Sequence, residues 1–277
     1  MTDHSDCNSC SDSSCAAKTK GPQENDAQFQ TRQRLEQRLC NIDQKVLVMS
    51  GKGGVGKSTT AVNLALALAK AGKQVGLLDI DLHGPSLPTM LGLNKEQIFS
   101  NEEGLIPLEF EGIKVISIGF MTHDDTQAMI MRGPVKHGTI QQFLADVNWG
   151  KIDYLVIDCP PGTGDEPLTA AQLLGKGASA VVVTTPQDVA LVDVEKSISF
   201  CNELNLNLLG IVENMSGFIC PHCGEVSDIF KSGGGETLAT KRKVHFLGRI
   251  PLDPRMVQSG DSGKPFILEH PDSEAAQ

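Results

Sequence analysis

Residues 46–60 read V-L-V-M-S-G-K-G-G-V-G-K-S-T-T. An apolar run of strand length passes into a glycine-rich turn, and a helix-forming stretch follows directly. Residues 51–58 fit G-x-x-x-x-G-K-[ST], the phosphate-binding loop pattern. Gly51, Gly53, Gly54 and Gly56 let the backbone turn tightly and bring its N–H groups against phosphate oxygens. A helix beginning near Ser58 aims the positive end of its dipole at the same anion. Lys57 is expected to reach the β- and γ-phosphates, and the Ser58 hydroxyl to bind Mg²⁺. Gly51, Lys52, Gly53, Gly54, Val55, Gly56, Lys57, Ser58 and Thr59 together form the expected nucleotide cradle.

Outward from this loop, residues 58–71 predict the first helix. Val62, Ala65, Leu66 and Ala69 fall at i, i+3, i+4 and i+7, Leu64 and Leu68 widen the stripe, and Gly72 ends it. Residues 75–78 predict a second strand that closes a βαβ unit and delivers Asp79 and Asp81 in L-L-D-I-D-L-H-G-P-S. Carboxylates two residues apart point the same way in an extended segment, and the C-terminal end of such a strand borders the phosphate crevice. Asp81 is expected to position an attacking water and Asp79 to stand in the Mg²⁺ hydration shell. A turn or cap aspartate is the alternative for either one alone. Residues 154–158, Y-L-V-I-D, end a further apolar strand in Asp158, a carboxylate suited to hold Mg²⁺ through water. The prolines and glycines of C-P-P-G-T-G-D-E after it suit a switch loop that senses the γ-phosphate. Other strands are expected at 114–118, 178–184 and 208–214, and helices at 133–147 and 192–204. Weak structure is expected at 92–112 and a mobile loop at 120–132. The alternation predicts an α/β fold of the P-loop NTPase kind. Its sheet is mostly parallel and twisted, of about seven or eight strands, with helices on both faces.

The chain has 277 residues, enough for one large α/β domain or two small ones. Hydrophobic residues make up 40% and aromatics 4%, so the core must be mostly aliphatic. A net charge of −10 argues against non-specific nucleic-acid binding and against a polybasic membrane anchor. No apolar run approaches the roughly 18 residues of a membrane-spanning helix. The opening M-T-D-H-S-D-C lacks the basic and then apolar regions of a secretory signal. A cytoplasmic location is therefore expected, which makes the eight cysteines metal ligands or buried thiols rather than structural disulfides.

Residues 1–38 read as a flexible, cysteine-containing tail, residues 39–270 as the ATPase domain and residues 271–277 as an acidic tail. A short helix at 29–39 leads into the domain. Cys7, Cys10 and Cys15, spaced C-x2-C-x4-C, are near enough in sequence to share one metal centre. Three thiolates fall short of the usual four, and Cys40 lies at the edge of the domain. An accessory iron–sulfur or zinc site and an unligated tail stand as equal readings. Cys159 and Cys201 read as packed core. The second constellation is N-M-S-G-F-I-C-P-H-C-G at 214–224. Asn214, at a strand end, is placed to hydrogen-bond an adenine edge. Cys220 and Cys223 form a C-x2-C pair, which is half of a site, with His222 as a spacer. Two copies facing across a homodimer axis would complete a Cys₄ site for a [4Fe–4S] cluster; bridging zinc and a redox dithiol are the alternatives. Glycine-rich residues 232–236 precede a short helix. Pro251 and Asp253 in I-P-L-D-P are expected to frame the nucleotide base.

Lys52 places a second lysine inside the loop, where one already neutralises the terminal phosphates. It resembles the signature lysine of the deviant Walker A group, which includes MinD, ParA and the nitrogenase iron protein. In that group the lysine of one protomer contacts the phosphates of the other, as an arginine finger supplied in trans would. Several blocks of this chain together resemble the Mrp/ApbC family of iron–sulfur cluster carrier P-loop ATPases over roughly residues 40–268. They are G-K-G-G-V-G-K-S-T, D-I-D-L-H-G-P-S-L-P-T-M-L-G, R-G-P, D-Y-L-V-I-D-C-P-P-G-T-G-D-E, E-N-M-S-G-F, C-P-H-C-G, G-G-G-E and I-P-L-D-P. The C-x-x-C separates this family from MinD- and ParA-like relatives. The resemblance implies a homodimer that holds a labile [4Fe–4S] cluster on paired Cys220 and Cys223. It implies ATP and Mg²⁺ as further cofactors and slow hydrolysis served by Lys52, Lys57 and Asp81. The implied partners are a cluster-donating scaffold and apo iron–sulfur client proteins, with neither nucleic acid nor membrane. Cys7, Cys10 and Cys15 are similar to the tail cysteines of the eukaryotic cytosolic branch, which number four. Two rival functions are a nucleotide-gated electron-transfer ATPase that retains its cluster and a zinc-stabilised MinD/ParA-like switch. The closing I-L-E-H-P-D-S-E-A-A-Q, neither amphipathic nor basic, speaks against the switch.

Overall fold

A computed structural model describes residues 18–22, 24–121, 132–220, 223 and 225–277. Helix α1 (Asp26–Leu39) leads into β1 (Ile42–Ser50), α2 (Lys57–Lys70), β2 (Val75–Asp79) and the single turn α3 (Leu87–Met90). Three short strands follow, β3 (Phe99–Asn101), β4 (Gly104–Ile106) and β5 (Leu108–Phe110). Next come β6 (Ile113–Ser117), α4 (Gly133–Ala145), β7 (Ile152–Asp158), α5 (Asp165–Leu174), β8 (Ala178–Thr184) and α6 (Asp188–Glu203). The chain continues through β9 (Asn207–Ile219), β10 (Val226–Ser227), α7 (Gly234–Arg242), β11 (Phe246–Leu252), α8 (Pro254–Ser262) and α9 (Phe266–Glu269).

Seven strands pair in parallel in the order β6-β2-β7-β1-β8-β9-β11, and β5 and β10 add antiparallel to β6 and β9. This is the mostly parallel sheet with covered faces that the strand–helix alternation predicts. The two faces are legible in β1. Leu47 and Met49 enter the core shared with α1, α4 and α5, while Val48 between them enters the core shared with α2. Strands β2 and β8 are buried along their whole length. A third cluster, around Val182, Val194, Ile198 and Leu238, seats α6 and α7 on the far end of the sheet.

The expected tail over residues 1–38 is too long. Asn25 caps α1 through a capping box with Gln28, and Leu35 and Leu39 are buried beneath the helix, so residues 26–38 belong to the folded domain. Cys7, Cys10 and Cys15 lie outside the described residues. The acidic segment 271–277 is also docked rather than free, since Ala276 packs on the α2 side of the core. Residues 92–112 hold β3, β4 and β5 where weak structure is expected. Strand β9 runs beyond the expected 208–214 as far as Ile219, beside the first cysteine of the pair. Of the loop at 120–132, residues 122–131 lie outside the described residues. Among the described residues no helix is long and apolar enough to cross a membrane.

The chain's single tryptophan, Trp149, is fully buried, and its indole N–H donates to the Phe143 carbonyl at 3.2 Å. Gly76 of β2 makes room for it, because a Cβ there would lie 2.8 Å from the indole ring. Trp149→Ala is expected to lower the unfolding free energy by about 3–5 kcal/mol, the usual effect of truncating a buried aromatic. Urea unfolding followed by circular dichroism checks this.

Candidate functional site

Strand β1 ends at Ser50 and α2 begins at Lys57, so residues 51–56 form the loop between them. Gly54 (φ +77°) and Gly56 (φ +81°) take left-handed conformations that turn the chain into the helix. Gly51 and Gly56 are also bounded by close neighbours. A Cβ on Gly51 would lie 2.5 Å from the Asp193 backbone in α6, and one on Gly56 would lie 2.1 Å from the Asn214 amide nitrogen. Two other elements therefore press directly on the loop. Lys52 is half-buried, and its carbonyl accepts the Ser50 hydroxyl at 2.9 Å.

The parallel register sets Asp79 of β2 beside Asp158 of β7 at the C-terminal edge of the sheet. Both carboxylates are fully buried. Lys57 reaches Asp158 Oδ1 at 2.5 Å and Ser58 Oγ at 3.0 Å, and it is itself buried. Asp158 Oδ2 is buried and, among the described residues, has no hydrogen-bond partner. An orphan carboxylate oxygen beside a serine hydroxyl fits a site for Mg²⁺ and its water. Burial, and then the Asp158 charge beside it, pushes Asp79 up to about 8, which favours its neutral form at pH 7. Burial also raises Asp158, opposed chiefly by Lys57. Asp79 accepts from the Ser117 hydroxyl at 3.1 Å and from the Asp81 N–H at 2.9 Å, so Asp79 orients the turn that carries Asp81. Asp81 in turn accepts from the Gly84 N–H at 3.2 Å.

A cluster that the motif reading missed joins α4, α5 and the segment after β2 at this edge. Glu166, in the first turn of α5, is buried and bonded to Lys136 of α4 at 2.7 Å, with His83 Nε2 at 3.7 Å. The available signal was Lys136, two residues after R-G-P, together with the acidic D-E pair that opens α5.

Asn214 is buried, and its side-chain amide donates to the Val55 carbonyl of the phosphate loop at 2.8 Å. It buttresses the cradle as well as bordering a cavity of about 280 Å³ lined by Thr59, Asn63, Arg249 and residues 274–277. Pro251 and Asp253 line a second cavity, of about 370 Å³. Asn214 lines one cavity and Asp253 the other, and the two are neighbours that share Glu274 and Ala275. Asp253 caps α8, accepts from the Arg255 N–H at 2.9 Å and pairs with the Arg255 guanidinium, which holds its carboxyl below the usual range.

Cys220 follows β9 directly. Its N–H donates to the Glu225 carbonyl at 3.0 Å, and β10 pairs back onto Ile219 and Phe218. The C-x2-C pair therefore sits at the tip of a hairpin, with Cys220 half-buried and Cys223 exposed. Among the described residues, no group of three or more His, Cys, Asp and Glu side chains is placed to hold a metal. Cys159 and Cys201 are buried core residues, as expected, and burial pushes both thiols up.

Comparison with known proteins gives the family and the fold. A family model described as the ParA-type NUBPL iron-transfer P-loop NTPase matches residues 41–277. The iron-sulfur cluster carrier protein of Methanocaldococcus jannaschii is 48% identical over 92% of this chain and 88% of its own. The cytosolic Fe-S cluster assembly factor NUBP2 of Rattus norvegicus is 47% identical over 86% of this chain and 89% of its own. A nucleotide-binding protein from Archaeoglobus fulgidus, solved in complex with ADP, superposes with a TM-score of 0.77. It is 42% identical, over 88% of this chain and 95% of that one. MinD of Pyrococcus furiosus, at 24% identity and a TM-score of 0.58, shares the fold.

Lys57 is the counter-charge of a buried carboxylate. Lys57→Met is expected to destabilise the nucleotide-free protein by about 3–5 kcal/mol, the effect of stranding a buried charge. Adding Asp158→Asn should recover most of that loss. Urea titrations of the two variants measure both effects.

Proposed function

The chain belongs to the ParA-type family of NUBPL iron-transfer P-loop NTPases, and from this premise we propose that it is an ATP-hydrolysing iron–sulfur cluster carrier. It gathers a labile [4Fe–4S] cluster across a homodimer and passes it to apo-proteins. The observation that carries this reading is the span of β9. Asn214 on that strand touches the phosphate loop, and the strand ends beside Cys220. One strand thus runs from the nucleotide cradle to the hairpin that carries both cysteines.

In this reading the N–H groups of residues 51–59 bind the phosphates, and Lys57 leaves Asp158 to reach the β- and γ-oxygens. Ser58 and Asp158 hold Mg²⁺, with Asp79 in its hydration shell, and the ion supplies charge neutralisation on the phosphate oxygens. Asp81, oriented by Asp79 and Gly84, positions the attacking water. Lys52 reaches the partner protomer's nucleotide, as an arginine finger would. Asn214, Pro251 and Asp253 serve the base side. Cys220 and Cys223 supply two thiolates per protomer, and the partner's pair completes the four that a [4Fe–4S] cluster takes. Val189 and Val192 on α6, together with Val226 on β10 and Ile229 just after it, are exposed aliphatics that a second copy would cover. For Cys7, Cys10 and Cys15 an accessory metal site and an unligated tail stand as equal readings, which the iron count below separates. A scaffold delivers the cluster, clients receive it, and the cytosolic naming of relatives supports a cytoplasmic setting.

Anaerobic reconstitution with iron and sulfide tests the reading. About four irons per dimer are expected, lost in Cys220→Ala/Cys223→Ala and kept when residues 1–25 are deleted. A rise to about eight irons, halved by that deletion, assigns clusters to the tail cysteines as well. Colourless protein with stoichiometric zinc ends the carrier reading.

A further inference from the structure

The glycine-rich S-G-G-G-E at residues 232–236 opens α7 as a phosphate loop opens a helix, and the anion it holds is internal. Glu213, fully buried, places its carboxylate there. Its Oε2 accepts from the Gly235 N–H at 2.5 Å. Its Oε1 accepts from the Gly233 N–H at 2.8 Å and the Ser216 hydroxyl at 2.5 Å. Arg249 lies 3.5 Å away. Gly233 sits at φ +85°, and a Cβ on Gly235 would lie 3.0 Å from Oε2, so the glycines are shaped to this carboxylate.

We propose that Glu213 is a positioning residue for the cysteine pair. This rests on the reading that Cys220 and Cys223 hold the cluster. Residues 214–235 leave Glu213 and return to it, so the loop that carries both cysteines is closed at its base by one carboxylate. Ser216 and Ser232 tie the same base at 3.2 Å. Just inside its two ends, Met215 (φ +56°) and Lys231 (φ +72°) take left-handed conformations that non-glycine residues adopt only where their surroundings hold them. The donors on Glu213 supply that hold. Asn214, the next residue, donates to the phosphate loop, so the base of the cysteine loop is also the underside of the nucleotide cradle. Groups that fix a ligand's orientation in this way commonly change metal retention by about 10- to 100-fold when removed.

The test uses the full chain, anaerobic, as wild type, Glu213→Gln and Ser216→Ala. Phenylarsine oxide, which bridges two thiols, is titrated onto the apo protein, and a ferrous chelator extracts iron from the reconstituted protein. Glu213→Gln should weaken arsenical binding and speed iron loss by about 10- to 100-fold, with Ser216→Ala moving both in the same direction by less. If Glu213→Gln does not fold, Ser216→Ala alone carries the test. Wild-type arsenical affinity in the folded variants overturns the proposal, even where their melting temperature falls. Iron loading that survives Cys220→Ala/Cys223→Ala overturns the cluster reading instead, and the arsenical titration still decides the role of Glu213.

Discussion

Lys57 is, among the described residues, the cation that pairs with one of two adjacent buried carboxylates, and the nucleotide end of the sheet is built around that imbalance. Adjacent β2 and β7 bring Asp79 and Asp158 into register. Two charges cannot share such a site without compensation, and Lys57 compensates one of them. Asp79 answers by favouring its protonated form, and Asp158 keeps one oxygen without a partner. A divalent cation with phosphate would resolve both conditions. The tight turns at Gly54 and Gly56, and the pressure of Asn214 and α6 on the loop, serve to deliver Lys57 to this point.

The molecule uses one physical device twice. A glycine-rich turn at a helix N-terminus offers convergent N–H groups to an anion. Ahead of α2 that anion is a phosphate in the proposed function. Ahead of α7 it is the Glu213 carboxylate, already in place. The first cradle is open to exchange, and the second is sealed and structural. Strand β9 lies between them, with Glu213 in one cradle and Asn214 under the other. The hairpin at its end therefore inherits its placement from both.

Much of this was legible in the chain because the determining contacts are local. The phosphate loop is a run of a few residues whose glycines answer to their own backbone angles. Strand β8 falls at the expected residues 178–184, and α2 within one residue of its expected bounds, because burial on both faces and an apolar stripe are written into short windows of sequence. The short strands in residues 92–112 were not legible. A three-residue strand has no period of its own, and β5 exists only because β6 pairs with it. Helix α1 began earlier than expected because its cap, Asn25, lies among polar residues that read as tail.

Residue types and their order in the chain were enough to specify a parallel α/β sheet, the phosphate cradle, the acidic strand ends and the paired cysteines, since each depends on neighbours a few positions away. The partners of those residues were settled only when the chain folded. Asn214 meets Val55 across 159 positions, and Glu213 meets Gly235 across 22. No periodicity records which side chain fills which cradle. That assignment follows from strand order and register, which bring distant segments within hydrogen-bond reach and bury the polar groups that must then be satisfied.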